Sequence, residues 1–319
     1  MNKIAIQPLR GGYQRDWAWR GWQTRYTYLR SPVKSENLQP RPPLILLHGF
    51  GASIAHWRHN LAVLSEFQSV YALDMLGFGA SEKALTDYDI NLWVAQVYDF
   101  WRSLIGRPVV LVGNSIGSLV CLAAAAAHPD MVAGIAMLSL PDTSVRSEMI
   151  PKLVLPIVSA IEGLFTSPLL LKPLFYWVRR PKIVRPWAAI AYASSTAVDD
   201  ELVESLVTPA ADFGAAAAFA LIIKAMTNPQ FGPRVREVLP GLNMPILLIW
   251  GQQDRMIPPS LGQTFASYNP QVKLIELENA GHCPQDELPE QVNQEILTWL
   301  QAWFGSGKSQ PSELIVQKS

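Results

Sequence analysis

Five residues, Gly113-Asn114-Ser115-Ile116-Gly117, stand where an apolar run at 108–112 meets an alanine-rich run at 119–127. Strand-forming residues that pass directly into helix-forming ones leave only these five to turn the chain, and the serine is carried at the tip of the turn. The glycines leave room for backbones to pass close on either side. Alone, the five residues are a weak signal; the strand before and the helix after turn them into a nucleophile elbow.

The rest of the chain alternates in the same way. Residues 17–28 are rich in aromatic and β-branched side chains and read as an opening antiparallel hairpin, followed by a polar, proline-rich loop at 31–43. Leu44-Ile45-Leu46-Leu47 is unbroken apolar sequence, as in a strand covered on both faces. His48-Gly49-Phe50-Gly51 follows at its carboxyl end. A helix is expected over 54–67, a short strand at 70–73, a glycine-punctuated loop at 74–79, a helix over 90–105 and a strand at 134–140 ending in Pro141-Asp142. This order implies an α/β fold with a mostly parallel sheet, helices on both faces, and sites at strand carboxyl ends.

From 143 to 231 the pattern changes, with prolines at 151, 156, 168, 173, 181, 186 and 209 between short apolar segments. We read this as a helical cap inserted into a core made of 1–142 and 232–304. The apolar stretch 150–178 holds four of those prolines and the charges Lys152, Glu162 and Lys172, which argues against one membrane-crossing helix. Strands at 245–250 and 272–277 and an amphipathic helix at 289–304 complete the core, and 305–319 reads as a polar, disordered tail.

Composition narrows the function classes. With 49% hydrophobic and 16% charged residues, the chain can bury a large core. Lys plus Arg and Asp plus Glu both number 26, so no general attraction to nucleic acid is expected. The two cysteines, Cys121 and Cys283, form no metal or redox motif. The first residues lack both a signal-peptide apolar block and a basic, serine-rich transit segment, so the expectation is a cytoplasmic chain, neither secreted nor imported.

A serine hydroxyl is a poor nucleophile until a base within hydrogen-bond reach takes its proton, and that base needs an acid to orient it. Of five histidines, His48 is fused to the glycine turn, His56 and His59 lie in an expected helix, and His128 ends the elbow helix. His282 follows the final strand, where a loop can bring an imidazole over the elbow. Asp254, just past the strand ending at Trp250, completes the chain order Ser, Asp, His; Asp142 is the alternative acid. Backbone N–H groups of Ile116 and Phe50 are the expected oxyanion donors. Such a mechanism requires no metal and no cofactor.

These residues carry a resemblance. His48-Gly49-Phe50-Gly51, Gly77-Phe78-Gly79, residues 113–117, Asp254 and His282 resemble the α/β-hydrolase superfamily across the whole core. More narrowly, the chain resembles the chlorophyll dephytylases, relatives of pheophytinase. The match rests on residues 48–52 with His56-Trp57-Arg58, Asn114-Ser115-Ile116-Gly117, Asp200-Glu201-Leu202-Val203-Glu204 in the cap, and residues 280–287. The resemblance implies hydrolysis of the phytyl ester of chlorophyll to chlorophyllide and phytol, with Ser115, Asp254 and His282 as the triad. The missing transit segment fits a cyanobacterial source, and the resemblance implies a peripheral place on the thylakoid membrane as an alternative to a free cytoplasmic one. Ser118 departs from the second glycine that many relatives carry there. Haloalkane dehalogenases and epoxide hydrolases use an aspartate where this chain has Ser115. A lipase, esterase or thioesterase for another long-chain ester is the enzymatic alternative, and a non-catalytic carrier of a hydrophobic ligand is the other. In the cap, residues 172–187 mix cations and aromatics with no acid, which suggests docking on an anionic membrane through Arg179, Arg180, Lys182 and Arg185.

Overall fold

The computed structural model describes residues 13–32, 41–142 and 168–305. Its strands are β1 (Tyr13–Trp19), β2 (Trp22–Leu29), β3 (Leu44–Leu47), β4 (Val70–Leu73), β5 (Val109–Asn114), β6 (Val132–Leu138), β7 (Ile246–Gly251) and β8 (Val272–Leu277). The helices that position the site are α1 (Leu61–Ser65), α2 (Ile90–Leu104), α3 (Ile116–Ala127), α4 (Pro168–Val178), α5 (Pro181–Ala191), α6 (Asp200–Val207), α7 (Ala215–Met226) and α8 (Pro289–Phe304).

All eight strands join one sheet in the order β1-β2-β4-β3-β5-β6-β7-β8. Arg20 and Gly21 both have positive φ, +52° and +88°, which gives the two-residue turn whose twist suits the β1–β2 hairpin. Trp19 accordingly stands opposite Trp22. Strand β2 is antiparallel to β4, and every pairing from β4 to β8 is parallel.

The unbroken apolar strands follow from the two layers around them. Ile45 and Leu47 of β3 join Leu111, Ile135 and Leu248 in a core covered by α2 and α3. Leu44 and Leu46 point the other way, to Val110, Val112 and Leu247, under α1 and the Ile296 and Trp299 side chains of α8. Side chains alternate across a strand, so only a sheet with helices on both faces buries every residue of β3.

Several boundaries differ from the sequence expectation, two of them for reasons visible in the contacts. The helix expected over 54–67 is split into a 3-10 turn at Ile54–Trp57 and the short α1. The break falls where side chains turn to distant partners: Arg58 bonds Asp286 and Asn60 bonds Asn293. Strand β6 begins at Val132, before the expected 134, because the Val109 N–H already bonds the Met131 carbonyl at 2.8 Å.

Helices α4 to α7 lie inside the expected cap; the segment 143–167 and the tail 306–319 fall outside the described residues. Buried Lys83 fastens this layer to the core, its Nζ donating to the carbonyls of Gly79 (2.6 Å) and Ser81 (2.8 Å) and to Asp212 Oδ2 (2.9 Å). Among the described residues no single helix is long and apolar enough to cross a membrane.

A Cβ on Gly117 would sit 2.3 Å from the Leu47 carbonyl oxygen, where backbone rather than a flexible side chain would have to move. Gly117→Ala is therefore expected to destabilise by about 3 kcal/mol, the upper range for overpacking. Thermal unfolding should show a midpoint lower by roughly 6–12 °C.

Candidate active site

Strand β5 ends at Asn114 and α3 begins at Ile116, so one residue, Ser115, makes the whole reversal. It does so at φ +55°, ψ −120°, a strained setting for a residue with a Cβ. The turn closes because both flanking glycines are in near-contact with backbone: a Cβ on Gly113 would lie 2.4 Å from the Gly117 carbonyl carbon. Ser115 N–H donates to the Leu138 carbonyl at 2.9 Å, which pins the turn to the neighbouring strand. Ser118, where many relatives carry a glycine, has a structural use here. Its buried hydroxyl lies 2.7 Å from the Gly113 carbonyl and 2.8 Å from that of Leu138, and accepts from Leu138 N–H at 3.0 Å.

The other two residues arrive on loops after β7 and β8. These loops pack so closely that a Cβ on Gly251 would be 2.2 Å from the Gly281 carbonyl oxygen. His282 Nδ1–H donates to Asp254 Oδ2 at 2.9 Å, with the Asp254 side chain fully buried. The second oxygen of Asp254 accepts from the N–H groups of Met256 (2.8 Å) and Ile257 (2.9 Å). This fixes the imidazole with Nε2 as its free nitrogen. Asp142, the alternative acid, does not hold that place. Ser115 and His282 line one cavity; among the described residues no hydrogen bond yet joins them, as is common before a substrate tightens such a site.

The two expected oxyanion donors, Ile116 and Phe50, lie at two further points of the site. Ile116 N–H opens α3, where first-turn N–H groups have no intrahelical acceptor. Phe50 lines the cavity in the turn after His48. His48 is structural: its Nδ1–H donates to the Gly49 carbonyl (2.7 Å) and its Nε2 accepts from Met75 N–H (3.1 Å). Full burial pushes its pKa down to about 4, against the opposing hydrogen bond to Gly49. Asp74, buried beneath the 77–79 loop, accepts from Ile54 N–H and Ala80 N–H, each at 2.7 Å. Burial raises it to about 6 despite those bonds. His128 stacks on Tyr98 at 3.8 Å.

Several residues with clear structural duties carried no chemical signal in the sequence. Asn114 Nδ2 donates to the His282 carbonyl (2.9 Å), and His282 N–H donates to the Ala191 carbonyl of the cap (2.6 Å). Glu287 accepts from Gly281 N–H (2.7 Å) and from Ala193 N–H (2.6 Å), so one carboxylate spans cap and histidine loop. Arg58 bonds Asp286 (2.9 Å) and Asp199 (2.9 Å), while Tyr192 O–H donates to Asp286 (2.8 Å). His56 Nε2 stands 3.1 Å from that same hydroxyl. Arg58 and Asp286 lie in segments that carry the narrower resemblance, and Asp199 immediately precedes the cap segment that does. Cys283 also lines the cavity, but burial pushes its thiol well up, which keeps it from competing as a thiolate.

The cavity over Ser115 has a volume of about 560 Å³. Its wall is mostly apolar, with Phe50, Phe78, Trp177, Trp187, Leu206 and Phe219 among the contributors. That size is in the range for small-molecule sites.

The alpha/beta hydrolase family matches this chain over residues 44–295. Pheophytinase from Arabidopsis thaliana is 26% identical over 318 residues, with 88% of this chain and 65% of that protein covered, so the chain spans just under two thirds of that relative. The human 1-acylglycerol-3-phosphate O-acyltransferase ABHD5 is 27% identical over 305 residues, covering 85% of this chain and 84% of that protein. Among solved structures, a membrane phospholipase A described as a bacterial virulence factor superposes with a TM-score of 0.72 at 26% identity, covering 92% of this chain and 87% of the other.

Two outcomes are expected. Asp254→Asn should lower ester turnover by several orders of magnitude, since an amide cannot stabilise the imidazolium, and Ser115→Ala should abolish it; Asp142→Asn should do far less. Steady-state rates on the purified variants check this, and the reverse order would move the acid to Asp142. Separately, nitrogen-detected NMR should find His48 neutral and Nδ1-protonated at pH values well below 6.5. Its folded pKa of about 4 lies below the unfolded value, so its contribution is full above 6.5 and is lost as pH falls toward 4. The loss amounts to about 3 kcal/mol. Asp74, raised in the fold, works in the opposite direction over much of that window, which is why the histidine should be watched directly.

Proposed function

This chain belongs to the alpha/beta hydrolase family, and from that premise we propose that it is a serine carboxylic-ester hydrolase acting on the phytyl ester of chlorophyll or a related pigment. The observation that carries the reading is the apolar cavity that ends on Ser115 and His282 beneath the cap helices. A cavity with such a wall suits a long hydrocarbon group on one side of an ester. The likeness to a pheophytinase supports a pigment as the other side.

The chemistry follows from the geometry. Ser115 Oγ attacks the carbonyl carbon of the propionate ester as His282 Nε2 takes its proton. Asp254, itself held by two backbone N–H groups, stabilises the imidazolium. The carbonyl oxygen becomes an oxyanion received by Phe50 N–H and Ile116 N–H, each donor contributing roughly 3–4 kcal/mol. Collapse of the intermediate breaks the carbon–oxygen bond to the alcohol, His282 returns the proton to it, and phytol leaves. Water then repeats the attack on the Ser115 ester, which releases chlorophyllide and restores the hydroxyl.

A second reading, hydrolysis of a long acyl ester of a lipid, is favoured by the likeness to a membrane phospholipase A. The catalytic groups serve both esters equally. Incubation with chlorophyll a, pheophytin a and a long-chain acyl ester, with products separated by chromatography, should yield phytol and the dephytylated pigment, and none with Ser115→Ala. Cleavage of the acyl ester alone would transfer the assignment to a lipase. A fluorophosphonate probe that fails to label Ser115 would leave only a carrier of hydrophobic ligands.

A further inference from the structure

The two cap helices α4 and α5 meet solvent with an unusual face. No residue of α5 is buried. Trp187 is 64% exposed, Trp177 49% and Leu174 45%, yet all three also line the cavity that reaches Ser115. The exposed apolar surface and the cavity wall are thus continuous, so these residues form a rim through which a ligand reaches the nucleophile. Tyr176, Leu170 and Ile190 extend the same exposed surface without lining the cavity.

Charge on this face has one sign. Residues 168–191 contain five cations and no aspartate or glutamate. The structure corrects which of them are available. Arg179 donates to the Ala210 carbonyl and its guanidinium lies over the Tyr176 ring at 4.7 Å. Arg185 bonds the Val198 carbonyl and Asp200. Both are engaged within the cap. Lys172, Arg180 and Lys182 are exposed and form no ion pair among the described residues.

We propose that the α4–α5 face docks on an anionic lipid bilayer, and that the hydrocarbon tail of the substrate passes from the bilayer between Leu174, Trp177 and Trp187 into the cavity. This rests on the ester-hydrolase reading for the identity of what enters, but not for the docking itself. The physical case is that aromatic side chains settle at the interface between water and hydrocarbon while flanking cations meet lipid phosphates. A tail that moves along this route exchanges one apolar surrounding for another. By any other route it would cross water, which is unfavourable in proportion to the apolar area exposed.

The test uses the full chain and vesicles of ether-linked phosphatidylcholine, with and without ether-linked phosphatidylglycerol, so that no lipid ester can be hydrolysed during binding. Wild-type protein should co-sediment with the anionic vesicles and much less with the neutral ones. The triple variant Lys172→Gln/Arg180→Gln/Lys182→Gln should lose on the order of a hundredfold in partitioning. None of the three lines the cavity, so turnover of a short soluble ester should be unchanged; circular dichroism melting reports folding independently. Ether-linked lipids brominated in the alkyl chain should quench the fluorescence of wild-type protein, and Trp177→Phe/Trp187→Phe should remove that quenching. Equal binding of the triple variant, indifference to vesicle charge, or quenching that survives the double tryptophan variant would each overturn the docking. Failure to cleave any ester would instead remove the hydrolase reading and leave the vesicle result standing.

Discussion

The close approach of backbones at the elbow is the constraint from which the rest of the site follows. Gly117 passes the Leu47 and His48 carbonyls so tightly that a Cβ would lie 2.3 and 2.7 Å from their oxygens. This contact seats the first turn of α3 on the carboxyl end of β3, which brings Ile116 and the turn after His48 to the same end of the sheet. Ser115 must then take positive φ, at a cost of about 1–3 kcal/mol for a residue with a side chain. The surrounding structure over-determines that conformation. Strand β5 is buried along its whole length, α3 is nearly so, and the Ser118 hydroxyl ties the start of the helix to β5 and β6. Strain is held at Ser115, and stability is supplied by two hydrophobic layers on either side.

The histidine loop is held from the opposite direction, by the cap. The His282 N–H donating to the Ala191 carbonyl, and the Ala193 N–H donating to the Glu287 carboxylate, make the end of α5 and the residues just after it part of the scaffold that sets the imidazole. Behind it, Arg58 is buried between Asp286 and Asp199, with Tyr192 completing the Asp286 contacts. Removing one partner from a buried pair of this kind is strongly destabilising, because the remaining charge has no water to replace it. The cap is therefore stitched down at 191–199 and, through Lys83 and Asp212, at a second point. The end of α5 is itself one of these anchors, yet along the α4–α5 face only Leu171 and Phe175 are buried among the described side chains.

Much of this was legible in the sequence, for reasons that differ by residue. The strands could be read because burial on both faces erases the polar half of the alternation, as in Leu44-Ile45-Leu46-Leu47. The pairing of His282 with Asp254 could be read because chain order and strand ends restrict where three residues can meet. Residues 54–60 could not be read correctly: their apolar spacing is compatible with one helix, and the break depends on Asp286 and Asn293, more than two hundred residues away. Glu287 and Asn114 were invisible as site residues because their partners are backbone atoms, which have no sequence signature. The basic stretch was over-read for a similar reason. Composition shows five cations, whereas only contacts show that Arg179 and Arg185 are occupied by Ala210, Val198 and Asp200.

The same contacts bear on how selective such a site can be. Lys83 and Arg179 both line the cavity, yet Lys83 already has three oxygen partners and Arg179 is engaged with Ala210 and Tyr176. Away from Ser115 and His282, the wall therefore offers a ligand chiefly apolar contact, which is how it would recognise the tail of the proposed substrate. In apolar pockets a missing methylene changes discrimination by about 1–3 kcal/mol, and an added hydroxyl is rejected only about a hundredfold. Tails of similar length and branching should thus be accepted together. Under the proposed ester-hydrolase reading, strict preference for one ester over another must then come from the group on the carbonyl side, or from the lipid phase from which the tail is drawn.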